Sequence, residues 1–203
     1  MSGRINDASI LRKPLPPQVP RRQRGRAQRL AAWILERGGW TLTGQFPDAP
    51  RLVVLGAPHS SWWDGIWGML VVIAIGVDIT ILGKRELFIW PLSSLLRWIG
   101  VVPVDRFATH GIVGDMSARF AKSRQLWLGI APEGTRKRMP KWRTGFWHVA
   151  RAADVPILPI AFHYPDKIIH VGAVLETSDD VDADIAKLRD FYAPYQGKHR
   201  GIN

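Results

Sequence analysis

The 203-residue chain has no cysteine. That excludes disulfides, a thiolate nucleophile and any zinc site built on thiolates, and it fits a reducing compartment. A Gly-x-Ser-x-Gly elbow is also missing, which argues against a serine hydrolase. Long apolar runs are missing too. The longest, residues 66–77, falls short of the roughly 20 residues that cross a bilayer, so no transmembrane helix is expected. No apolar stretch follows the first charges, so no signal peptide is expected. Acid is scarce: 17 Asp and Glu stand against 28 Lys and Arg, a net charge of +11.

What is abundant is tryptophan, with ten residues. Trp suits places where one side of a ring is apolar and the other wet, membrane interfaces among them. The charge is lopsided. Residues 1–37 hold nine Lys or Arg and two acids, a net +7. Residues 1–24 mix these cations with Pro14, Pro16, Pro17 and Pro20 and read as a basic, Pro-rich tail. Residues 25–37 read as an amphipathic helix. Its apolar face is Ala27, Leu30, Trp33 and Ile34, and Gly38-Gly39 stops it. With Arg21, Arg22, Arg24, Arg26 and Arg29 around it, this helix is a candidate anchor on an anionic membrane surface. Packing of the same face on the domain is the competing reading.

The rest, residues 25–203, reads as one α/β domain. Short apolar runs alternate with helical segments, which means a mostly parallel central sheet flanked by helices. Strands are expected near residues 40–46, 51–55, 78–82, 101–104, 126–130, 157–162 and 167–175. Helices are expected near 65–75, 91–99, 109–123, 145–153 and from Val181 to Tyr192. In the 91–99 helix, Phe88, Leu92, Leu95, Leu96 and Ile99 recur at helical spacing, with Trp90 and Trp98 flanking; plain core is the reading preferred, and lining an acyl channel or touching lipid is the alternative.

Two of the runs end in loops that carry chemistry. The run 51–55 leads to Pro58-His59-Ser60-Ser61-Trp62-Trp63-Asp64. A carboxylate five residues beyond a histidine can fix its tautomer and raise its basicity, which suits a general base for a hydroxyl. The run 126–130 leads to Pro132-Glu133-Gly134-Thr135-Arg136. Backbone N–H groups around Gly134 can serve an oxyanion, and the arginine fork matches phosphate. His59 and Asp64 are two ligands where a catalytic zinc wants three, so no metal is expected.

At these residues the chain resembles the glycerolipid acyltransferase family, whose members acylate lysophosphatidic acid. Its His-four residues-Asp motif matches His59 and Asp64, and its Pro-Glu-Gly-Thr-Arg motif matches residues 132–136. A short strand ending in Arg matches 101–106, and a Val-Pro-Ile-x-Pro stretch matches 155–159. The motifs keep the family's order across a core of residues 52–160. Pro58 and Ala131 stand where many members carry Asn and Phe. The resemblance implies His59 as base, Asp64 as its orienter and Arg106 as the acceptor-binding cation. It implies Glu133, Gly134, Thr135, Arg136 and Lys84 as further substrate-binding residues.

The implied activity moves a fatty acyl group from an acyl-CoA or acyl carrier protein thioester to a lysolipid hydroxyl. The thioester is a co-substrate, and no cofactor is implied. The implied place is the cytoplasmic face of a membrane, with peripheral attachment. Another lysophospholipid or a lyso-aminolipid stands open as the acceptor. A thioesterase using water as acceptor and a non-catalytic basic protein binding lipid or nucleic acid are the competing functions, with nucleic acid the less favoured partner.

Overall fold

The computed structural model describes residues 9–104, 111–133 and 142–199. The chain order is α1 (Arg26–Arg37), β1 (Thr41–Gly44), β2 (Arg51–Ala57), α2 (Trp62–Ile75), β3 (Ile79–Lys84), a 3-10 turn (Arg85–Leu87), α3 (Leu92–Ile99) and β4 (Val101–Val104). It continues with α4 (Gly111–Lys122), β5 (Leu126–Ile130), α5 (Gly145–Ala153), β6 (Ile157–His163), β7 (Ile168–Val171) and α6 (Val181–Tyr192). The seven strands form one sheet in the order β1-β7-β6-β2-β5-β3-β4. All pairs are parallel except β6 with β7. The mostly parallel sheet expected from the alternating pattern is therefore present, with an N-terminal helix beside it.

Both faces of the central strands are buried, so those strands read as continuous apolar runs. Along β2, Leu52 and Val54 join the core under α1 and α2, while Val53, Leu55 and Ala57 join the core under α4, α5 and α6. The period of two in a strand assigns alternate residues to opposite faces. Helix α3 closes a smaller cluster, with Leu96 and Ile99 against α2 and β3. Gly100 ends α3 at φ +116, where a Cβ would lie 2.1 Å from the Ile79 carbonyl oxygen. Only glycine fits that turn into β4.

Four readings are corrected here. The stretch 1–24 is not a tail over its described part: Ile10, Leu11 and Val19 are buried core residues, and the Ile10 N–H donates to the Leu42 carbonyl at 2.7 Å. Arg24 is buried as well. Its guanidinium donates to the carbonyls of Val72, Val77 and Ile99, satisfying the C-terminal ends of α2 and α3. Third, the α1 face that packs is Ala31, Ala32 and Leu35, while Leu30 and Trp33 point to solvent. The alanines let α1 approach α2 closely, so the bulkier side chains are turned out. Leu92, Leu95 and Trp98 are also exposed, against the core reading of that helix.

Candidate active site

Strands β2 and β5 are neighbours and parallel, with Leu55 opposite Ile130. Their C-terminal ends therefore deliver the two motif loops to one place, as sites in open α/β sheets require. The contact between the loops is direct. The His59 backbone N–H donates to a Glu133 carboxylate oxygen at 2.8 Å. Glu133 is buried. Its carboxylate braces the histidine loop across 74 residues of sequence.

Asp64 is fully buried at the third position of α2. One carboxylate oxygen accepts the N–H groups of Ser60 and Ser61, each at 2.6 Å. Ser61 caps the helix, accepting from the Trp63 N–H at 3.2 Å. This is a capping box, in which Ser at the cap and an acid three residues on satisfy each other's orphan donors. The acid of the motif thus fixes the turn that presents His59. The ring of Phe162, at the end of β6, lies edge-on to the imidazole with centroids 6.3 Å apart.

The other Asp64 oxygen accepts from the Tyr164 hydroxyl at 2.5 Å. Burial first, and then the Asp64 charge and hydrogen bond, push the Tyr164 phenol far above its ordinary pKa, so it remains a donor. Tyr164 is held edge-on by Trp40, centroids 5.0 Å apart. The Tyr164 N–H donates to the Gln196 carbonyl at 2.9 Å. Beyond it the chain crosses the His59 loop: the His199 N–H donates to the Ser60 hydroxyl at 3.2 Å, and the Lys198 ammonium sits 5.0 Å over the Trp63 ring. Below the loop, the buried Tyr192 hydroxyl accepts the Ile160 N–H and donates to the Leu55 carbonyl, bridging β6 and β2.

Among the sequence-predicted residues, His59, Asp64 and Glu133 come together. Arg106, Gly134, Thr135 and Arg136 lie outside the described residues, as does the side chain of Lys84, which ends β3. Sequence reasoning missed Tyr164 and the segment 192–199. The one available signal was position, since Tyr164 directly follows the 157–163 strand.

The family model described as Acyltransferase matches residues 41–163. The 1-acyl-sn-glycerol-3-phosphate acyltransferase of Escherichia coli (strain K12) is 35% identical over 85 residues, covering 38% of this chain and 34% of that protein. The human 1-acyl-sn-glycerol-3-phosphate acyltransferase alpha is 34% identical over 120 residues, covering 56% of this chain and 41% of that protein. The chain thus spans well under half the length of these relatives. The crystal structure of a 1-acyl-sn-glycerophosphate acyltransferase from Thermotoga maritima has the same fold, with a TM-score of 0.55 at 13% identity over 83% of this chain and 82% of that one. With the motif loops, their order and the matched span all in accord, the chain belongs to the acyltransferase family.

Proposed function

We propose that the protein transfers a fatty acyl group from an acyl thioester to the hydroxyl of a lysolipid, with 1-acyl-glycerol-3-phosphate as the first acceptor to test. The observation that carries this reading is the His59–Glu133 bond, which seats the base loop and the Glu-Gly loop on adjacent strand ends. The names of the relatives support the acceptor class.

In this mechanism the imidazole of His59 takes the proton of the acceptor hydroxyl as its oxygen attacks the thioester carbonyl. The tetrahedral oxyanion meets backbone donors, with Gly134 as the candidate. It collapses by breaking the C–S bond, and the departing thiolate takes the proton back from His59. A positioned base is worth roughly 100- to 10,000-fold in rate. Asp64 keeps the loop in register. Arg106 is proposed to hold the phosphate, with Lys84, Thr135 and Arg136 as secondary contacts. The donor is acyl-CoA or acyl carrier protein.

The work is proposed to take place at a membrane surface, on its cytoplasmic face. No helix among the described residues is long and apolar enough to cross a membrane. The competing reading, a basic arm that binds nucleic acid, loses support from the fold. Arg21 donates to the carbonyls of Leu15 and Pro16, Arg22 pairs with Asp78 at 3.1 Å, and Arg24 is buried.

The test is His59→Ala, with acyl transfer measured by lipid mass spectrometry for both donors and a panel of lysolipids. Transfer is expected to fall by at least the general-base factor while circular dichroism stays native. A folded His59→Ala variant with near-native turnover would overturn the mechanism. Asp64→Asn is the better probe of the second residue, because Asp64→Ala leaves two buried N–H groups without their acceptor, at about 1–3 kcal/mol each.

A further inference from the structure

The acid of the His59 motif has a limited capacity for hydrogen bonds. An ionised carboxylate offers about four acceptor positions, two on each oxygen. Asp64 is fully buried, so its positions are filled by protein groups that can be named. One oxygen takes the N–H groups of Ser60 and Ser61, each at 2.6 Å, and that oxygen is then full. The Tyr164 hydroxyl takes one position on the other oxygen. A single position is left, on the oxygen that Tyr164 touches.

Tyr164 comes from a distant part of the chain and is itself held still. It follows β6, 100 residues after Asp64. Its ring stands edge-on to Trp40, which packs on Trp67 with centroids 5.2 Å apart. Trp67 stacks in turn on Trp63 of the motif, at 6.1 Å. The Tyr164 backbone is fixed as well: its N–H donates to the Gln196 carbonyl at 2.9 Å, and its carbonyl accepts the Lys167 N–H at 3.2 Å. A ring present for packing alone needs no hydroxyl aimed at a carboxylate. Burial, with the Asp64 hydrogen bond and charge, keeps the phenol a donor at neutral pH.

We infer that Tyr164 is a positioning residue for the acyl transfer, acting on His59 through Asp64. Its hydroxyl fixes the plane of the carboxylate, so the one position left has a single direction. A proton on the His59 ring then meets a fixed acceptor, and the other ring nitrogen is set toward the lysolipid hydroxyl. The same bond also acts on the proton. A hydrogen bond to the charged carboxylate draws on charge that would otherwise favour the protonated imidazole. Tyr164 therefore loosens the proton on His59, which suits a base that must hand it on to the departing thiolate. The role in transfer rests on the proposed function, but the proton affinity of His59 is read without turnover, so the two fail separately.

The test is an NMR titration of the labelled His59 imidazole in the full chain, with its signal assigned by its loss in His59→Gln. Tyr164→Phe is expected to raise the midpoint by about half a pH unit, a roughly three-fold tighter hold on the proton. The acid limb of the kcat/KM profile is expected to move up with it. A fluorinated tyrosine at position 164 keeps the shape and strengthens the donor, so it is expected to move the midpoint down. The other charged and titratable groups around the loop are the same in both proteins: Glu133 on the His59 N–H, Lys198 over Trp63, His199 at Ser60, and the His163–Asp166 pair at 3.3 Å beside Tyr164. A midpoint that stays put in both proteins would overturn the inference and leave Tyr164 as packing. So would an equal rise at His163, which would trace the effect to a displaced end of β6 and not to the carboxylate.

Discussion

The two helical layers cover the same sheet in opposite ways. On the α4–α5–α6 side, Trp142, Trp147 and Tyr192 are buried. Even the polar atoms are drawn in, with the Trp147 indole N–H donating to the buried Asp184 carboxylate at 3.0 Å. On the α1–α2–α3 side, Trp33, Trp62, Trp63, Trp90 and Trp98 are exposed. The same residue type is core in one layer and mostly surface in the other, where Trp40 and Trp127 are the buried ones. Burial decides what a tryptophan does for the fold, so composition alone gives no stability ranking. One layer closes the domain, and the other leaves apolar surface beside the site.

The sharpest way to break this comparison is a pair of truncations. Trp147→Ala removes a buried ring and one of the donors to Asp184, so it is expected to cost about 3–5 kcal/mol. Trp90→Ala is expected to stay within about 0.5 kcal/mol. Thermal or denaturant melts of the two variants side by side check this, and similar losses would mean that the layers do not differ.

A smaller effect should appear in acid. Burial alone would raise the Asp184 carboxyl, but donors from Trp147, Ser178 and Lys187 outweigh it and hold the group down to about 2. A depressed folded pKa stabilises the protein above the usual carboxyl range, and that stabilisation is lost as pH falls toward 2. Asp184→Asn should therefore lower stability at neutral pH by about 1.5–3 kcal/mol, the worth of hydrogen bonds to a charge, and flatten its dependence between about pH 4 and 2. Melts across that window decide it. A parallel shift of the whole curve would assign the acid sensitivity elsewhere.

A smaller loss of stability than that of Asp184→Asn is expected of Tyr164→Phe, the variant most informative on the site. Losing one hydrogen bond should cost about 0.5–1.5 kcal/mol of stability. If Tyr164 acts by fixing Asp64, kcat should fall more than KM moves, and most of that fall should vanish in an Asp64→Asn background. Additive losses would make Tyr164 a packing residue only.

Much of this was legible in sequence, for physical reasons. Runs such as 51–55 and 126–130 are buried on both faces, so they stand out as apolar segments, and the motif residues follow them directly. The bond from His59 to Glu133 then follows from strand adjacency. Tyr164 was not legible, because its partner lies 100 residues away and a tyrosine after a strand has no spacing signature. Arg24 was misread because arginine is rarely buried; its three carbonyl partners at helix ends exist only after α2 and α3 have packed. Whether the Leu30 and Trp33 face of α1 meets the domain stays open in sequence, because apolar periodicity marks a stripe without saying whether protein or solvent lies beneath it.

The bridge from Tyr192 to Leu55 and the bond from His199 to Ser60 span 137 and 139 residues. A ribosome makes residues 51–64 first and these partners much later. The His59 loop therefore leaves the ribosome unfinished, with the strand beneath it lacking one cross-link and Ser60 lacking its donor. Loop closure on this scale waits for distant chain. A nascent chain stalled before residue 192 would carry both histidine and aspartate and still lack these two bonds, so the loop is completed late in synthesis.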